Sequence, residues 1–141
     1  QPSEVRVAMS WSLKRIPRSD VLNALDLGSS SASPKQRAVS AYLLGELGEG
    51  DRLAQMISDP APEVRKSVAL AVGNTQIYAL YSLLIPTLED DDWRVRTAAA
   101  EALKRLKAVQ AISALNHRIE LEDHSVVRNA INSALKSLTS L

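Results

Sequence analysis

Asp90-Asp91-Asp92-Trp93-Arg94-Val95-Arg96-Thr97-Ala98-Ala99-Ala100-Glu101-Ala102-Leu103 is the stretch that decides the architecture. Val95, Ala98, Ala99, Ala102 and Leu103 fall at spacings of three and four, which puts them on one helical face. The pair Val95-Arg96 returns as Val64-Arg65, Val127-Arg128 and Val5-Arg6, and Arg37 fills the remaining place in the series. Successive arginines are 31, 28, 31 and 32 residues apart. A period of that size marks a chain built by stacking one small unit.

The residues around each arginine repeat with it. Counting the arginine as zero, offsets −1, +2, +3, +6, +7 and +10 give Gln36, Val39, Ser40, Leu43, Leu44 and Leu47 in the second unit. The fifth unit gives Val127, Ala130, Ile131, Ala134, Leu135 and Leu138. This face is small or apolar almost throughout, so neighbouring helices can approach closely while the leucines fill the layer between them. Shorter apolar segments, Val21 to Leu27, Leu53 to Ile57, Ile77 to Leu88 and Val109 to Leu121, supply a second helix per unit.

Each unit therefore reads as a helix A, a tight turn and a helix B that carries the arginine. Ser19-Asp20, Gly50-Asp51 and Asn74-Thr75 offer turn and cap chemistry before three of the A helices. Pro34, Pro60, Pro62 and the run Asp90-Asp91-Asp92 mark A-to-B turns, and Pro86 should kink or shorten its own segment. No segment alternates as a strand would. The expected fold is all-α, a right-handed α-solenoid (an α-α superhelix) of stacked two-helix repeats. It forms one domain over 1–141, with a half repeat at 1–17 and repeats at about 18–48, 49–74, 75–107 and 108–141.

Composition fits thin helical layers. The chain has 141 residues, 45% hydrophobic and 23% charged, with 4% aromatic and no phenylalanine. No apolar run approaches the ~20 residues that span a bilayer, and no signal peptide is found, so a soluble, cytoplasmic protein is expected. The absence of cysteine excludes disulfides and thiolate metal sites. Gln1 opens directly into a B helix whose core face, including Val5 and Met9, lacks its partner helix. Such an uncapped end implies a longer array or another chain covering it, and self-association through this repeat is one expected route.

Asp59-Pro60-Ala61-Pro62-Glu63-Val64-Arg65, together with the stretch from Asp90 to Leu103, resembles the HEAT-like repeats of the phycobilisome-lyase type. The resemblance covers essentially the whole chain and is strongest from about residue 50 onward. Such repeats carry an acid six positions before the arginine, a place held here by Asp59, Asp90 and Glu122. The resemblance implies a structural ladder through Asp59, Arg65, Asp90, Arg96, Glu122 and Arg128 between adjacent repeats. Ser31 replaces the acid in the second unit, within Gly28-Ser29-Ser30-Ser31-Ala32-Ser33, so an interruption is expected there.

Motifs for catalysis are missing. His117 and His124 belong to no His-Glu-x-x-His pattern, no serine sits in a Gly-x-Ser-x-Gly turn, and there is no phosphate-binding glycine loop. Repeated His-Glu pairs, which helical-repeat hydroxylases use for iron, are also absent. Glu89-Asp90-Asp91-Asp92 is better read as ladder acid and helix cap than as a cation site. No catalytic, cofactor-binding or metal-binding residue is therefore assigned, and no cofactor is expected. Net charge is +1, with a weak basic column at Lys14, Lys104 and Lys136, and nucleic acid is not the expected partner.

Offsets +1, +5 and +8 form a stripe opposite the core face, apolar in the early units and polar in the late ones. Val7, Trp11, Ala38, Tyr42 and Leu70 make its apolar half, with Trp93 and Arg94 near a turn. Rings and large apolar groups on a B-helix face suit partner binding. The leading expectation is a non-enzymatic protein-binding scaffold or adaptor that uses this face for a protein of unknown identity. The alternative, implied by the resemblance, is a bilin lyase or chromophore-handling subunit. There the same face would hold an open-chain tetrapyrrole whose propionates pair with basic residues.

Overall fold

The computed structural model describes residues 15–141. Its helices are α1 (Arg18–Ser29), α2 (Pro34–Glu46), α3 (Gly50–Met56), α4 (Pro62–Asn74), α5 (Tyr81–Thr87), α6 (Trp93–Arg105), α7 (Ile112–Leu121) and α8 (Ser125–Thr139). Single 3-10 turns, Tyr78–Leu80 and Val109–Ala111, lead into α5 and α7. No strand occurs among the described residues, and the chain is the all-helical solenoid its period demands.

The starts of the B helices follow from local chemistry. Pro34 and Pro62 stand in the first turns of α2 and α4, where a missing N–H costs nothing. The N–H groups that remain are met by side chains. Ser33 accepts from Gln36 N–H, Asp92 Oδ1 from Arg94 N–H at 2.8 Å, and His124 Nδ1 from Val126 N–H at 3.2 Å. The A helices start otherwise than expected. Pro17 and Glu49 occupy the cap positions of α1 and α3 without a side-chain cap, while Ser19, Asp20, Gly50 and Asp51 lie inside the first turns. Thr75 does shape its turn, since its hydroxyl accepts from Ile77 N–H at 3.1 Å and donates to the Val72 carbonyl at 2.7 Å.

One position after each of the first three B helices turns left-handed. Gly48 has φ 72°, Gln76 φ 56° and Lys107 φ 55°. All three stand at offset +11. Behind Gly48 and Lys107, the N–H groups of Glu49 and Ala108 reach back to Leu44 and Leu103 and close the helix ends. Pro86 lies next to last in α5, which stops at Thr87.

Two layers result. The B helices α2, α4, α6 and α8 stack side by side in order, and each A helix packs on the B helix that follows it. Leu44, Val64, Val68, Val72, Val95, Leu103, Val127 and Ile131 fill the layer between, together with Leu53, Leu84 and Leu115 from the A side. The buried face of a B helix is wider than the sequence pattern indicates. Ala41, Ala69 and Ala100, all at offset +4, are fully buried, and each lies on a helix against which the next B helix is stacked.

Position +8, assigned above to the outer stripe, is buried in α2 and α4, where it is Gly45 and Gly73. A Cβ on Gly45 would stand 2.8 Å from the Ala71 backbone, and one on Gly73 would stand 3.0 Å from Ala102 Cα. Glycine is what lets these backbones touch. Val39, placed in the core by the pattern, is instead 49% exposed.

Candidate functional site

Along one edge of the stack, Arg37, Arg65 and Arg96 each join two repeats. Arg37 grips Asp59 through Nε and NH2 at 2.8 and 3.0 Å, and Arg65 grips Asp90 at 2.8 and 3.1 Å. Arg96 grips Glu122 at 2.7 and 3.0 Å. The remaining NH1 of each donates to the carbonyl six positions earlier: Ser31 for Arg37, Asp59 for Arg65, Asp90 for Arg96. Such bidentate, charge-assisted pairs fix an angle as well as a distance. Their carboxylates also cap the turns, taking the N–H of Ala61, Asp92 and His124.

Burial alone would push the Asp59 and Glu122 carboxyls up. The guanidinium hydrogen bonds from Arg37 and Arg96, with the backbone N–H groups, outweigh it and hold both below their ordinary values. Donating to these carboxylates raises Arg37 and Arg96 in turn. Arg118 adds a second cation to Glu122, its Nε 3.5 Å from Oε1.

Ser31 takes over only half of the acid's work. Its Oγ accepts from Ser33 N–H at 3.1 Å, as the carboxylates do in the later turns, but no arginine reaches it among the described residues. Arg37 is a rung all the same, because it looks forward to the acid of the next repeat, as Arg65 and Arg96 do, and Asp59 is present. The sequence pattern could have disclosed this, had the acid been sought 22 residues ahead. Arg128 has no carboxylate partner among the described residues; its NH1 donates to the carbonyls of Ile119 and Glu122.

The acidic run before α6 is spent on cations and caps. Asp90 serves Arg65, Glu89 takes a 2.6 Å bond from Arg118, and Asp92 binds Arg94. The hydrogen bond from the Arg94 side chain brings Asp92 down to about 2. Among the described residues no group of three or more His, Asp or Glu side chains is placed to hold a metal ion.

A trough runs across the opposite, B-helix face. Its first part, about 560 Å³, has a floor of Ala38, Tyr42 and Leu70, with Lys35, Glu101 and Arg105 around it. Tyr42 and Leu70 are half-buried against the core and do not stand out as an exposed row, because α2 and α4 sit close enough for each to cover part of the other's side chains. The second part, about 730 Å³, lies between α6 and α8 and carries Lys104, Lys107, Asn129 and Ser133. Glu101 and Arg105, both on α6, line both parts. Trp93 and Arg94 line neither part. Trp93 stacks on His124 with centroids 4.2 Å apart, and Arg94 is occupied by Asp92. Val7 and Trp11 lie outside the described residues, as do Lys14 and the apolar face of the first unit.

The profile of HEAT repeats matches residues 50–136. The chain belongs to the HEAT-repeat family. No curated protein sequence matches this HEAT-repeat chain. Among solved structures it is similar to a chain in the complex of CpcE and CpcF of phycocyanin lyase from Nostoc sp. PCC7120. That likeness has a TM-score of 0.73 at 21% identity, covering 95% of this chain and 90% of the other. At such identity the shared property is the fold.

The likeness corrects the expectation of a non-enzymatic chain. That expectation rested on the lack of a catalytic motif, yet a chain of the same architecture and nearly the same extent belongs to a lyase complex. A missing motif therefore does not set this HEAT-repeat chain apart from enzymes. No helix among the described residues is long and apolar enough to cross a membrane.

Proposed function

We propose that this HEAT-repeat chain is a lyase-type subunit that holds an open-chain tetrapyrrole in the trough of its B helices and works beside a second protein subunit. The observation that carries the reading is the first part of the trough, with an apolar floor flanked by cations, in a chain that shares nearly its whole extent with a phycocyanin lyase chain. About 560 Å³ lies within the range that takes a small organic ligand.

The residues match the chemistry of such a molecule. A bilin is a flat conjugated chain with two propionates and a line of pyrrole N–H groups. Tyr42 and Leu70 offer apolar surface for the conjugated face. Lys35 and Arg105 supply cations for the propionates, and Glu101 supplies a carboxylate that can accept from pyrrole N–H groups. Arg105 is steadied by a hydrogen bond to Asn74. The contribution of this chain is then to bind and orient, which lowers a barrier by removing rotational freedom. The coupled lyase chain was found as a complex of two proteins, which supports a protein partner here.

Adding biliverdin to the protein and recording its visible absorption tests the proposal. A saturable shift is expected, weakened roughly tenfold by Lys35→Gln together with Arg105→Gln. An unchanged spectrum at all protein concentrations would count against the reading.

A further inference from the structure

We propose that the second part of the trough, between α6 and α8, docks an acidic amphipathic segment of a protein partner. The inference starts from Lys104, which breaks the stacking rule of its own column. In α2 and α4 the same position is Gly45 and Gly73, buried where backbones meet. In α6 it is an exposed lysine whose Nζ reaches across to Ser133 of α8 at 2.9 Å. A glycine would allow the close approach seen at the two earlier junctions; a lysine keeps α6 and α8 apart at this level and leaves the trough open.

Lys107 departs from the local optimum as well. It stands at φ 55°, at the offset where the first described unit has Gly48. A residue with a Cβ is strained there. Lys104 and Lys107 put two cations on one wall, and among the described residues neither is in an ion pair, while Arg105 beside them is turned to Asn74 of α4. Among the described residues Glu101 is the one acidic side chain lining this part of the trough. The opposite wall carries Val126, Ala130 and Leu141, interleaved with Asn129, Ser133 and Ser137, and Val126 is 44% exposed.

Cations facing a wall of apolar groups set among hydroxyls and an amide complement a segment that carries carboxylates on one side and apolar groups on the other. Single-stranded nucleic acid fits less well. No aromatic ring lines this part to stack a base, and the whole chain has a net charge of only +1. The inference stands apart from what fills the first part of the trough.

Fluorescence anisotropy tests it, using the full chain with a fluorescein-labelled Glu-Leu amphipathic peptide and, separately, a labelled oligouridine. Saturable peptide binding is expected, falling with salt, and weakened roughly tenfold by Lys104→Gln with Lys107→Gln. Lys66→Gln with Lys136→Gln removes the same charge outside the trough and should leave binding within about twofold. An equal loss in both double variants would overturn the proposal, as would tighter binding of the oligouridine. Absence of peptide binding beside an intact biliverdin shift would overturn this inference alone. Thermal melts of each variant show that the fold is retained.

Discussion

Arg65 and Asp90 are joined by two parallel hydrogen bonds of 2.8 and 3.1 Å, while the same arginine's NH1 holds the Asp59 carbonyl at 2.9 Å. One side chain thus ties the turn before α4 to the turn before α6. Repeated at Arg37 and Arg96, this tie sets the angle at which repeats stack and so the curvature of the trough on the other face. Arg65→Ala leaves Asp90 half-buried without its partner and is expected to cost about 3 kcal/mol. Arg128→Ala, with only carbonyl partners at the end of the stack, should cost under about 1 kcal/mol. Urea unfolding of the two variants measures the difference; equal losses would remove the ladder from the account.

The same ties make stability depend on acid. Asp59 and Glu122 are held below their ordinary values of 3.8 and 4.5, and Asp92 at about 2. A carboxyl whose folded value is depressed stabilises fully above its unfolded value and loses that contribution as pH falls toward the folded one. Melting temperature should therefore be level near neutral pH and decline below about pH 4. Asp59→Asn with Glu122→Gln should start lower and decline less steeply, because two of the groups that take up protons are gone.

Glycine tolerance should differ by position. Gly45→Ala and Gly73→Ala force a methyl group toward the backbones of Ala71 and Ala102, an overpacking expected to cost about 1–3 kcal/mol each. Gln76→Gly should act the other way. It relieves a left-handed residue with φ 56° and is expected to stabilise by up to about 1 kcal/mol. Denaturant midpoints of the three variants decide the point.

Lys107→Gly should separate stability from binding. It removes the same kind of strain at φ 55°, and a gain of up to about 1 kcal/mol is expected. The same change removes a cation from the wall between α6 and α8 and should weaken the Glu-Leu peptide a few-fold. A gain in stability with no loss of peptide binding would mean that Lys107 has no part in the docking surface.

The sequence made the fold legible because a stacked array repeats its constraints. Val64, Val95 and Val127, and the alanines near them, meet the same neighbours in each layer and so recur at one offset. Burial at offsets +4 and +8 was less legible. Ala41 and Gly45 face a second B helix, and two adjoining helical faces blur the period that a single face would show. Arg37 is a rung that the missing acid at Ser31 conceals, because its partner Asp59 lies 22 residues ahead, in the next repeat. The trough was legible in part. Ala38, Tyr42 and Leu70 stood out as apolar residues on an outer stripe, but Lys35 and Arg105 converge on them only through the stacking of α2, α4 and α6. Trp93 looked like a binding ring, yet its stacking on His124 belongs to the A-to-B turn. No local pattern joins residues 31 positions apart.

The central claim is that the floor of this trough holds an open-chain tetrapyrrole, and visible circular dichroism tests it most directly. A bilin free in solution averages its two twisted senses, whereas one held on an asymmetric floor does not. Titration with biliverdin is expected to induce a saturable visible band in the wild-type chain, unchanged in Trp93→Ala and lost in Leu70→Glu, which puts a charge on the floor. A wild-type chain that induces no band, or a band that survives Leu70→Glu and disappears in Trp93→Ala, would contradict the account.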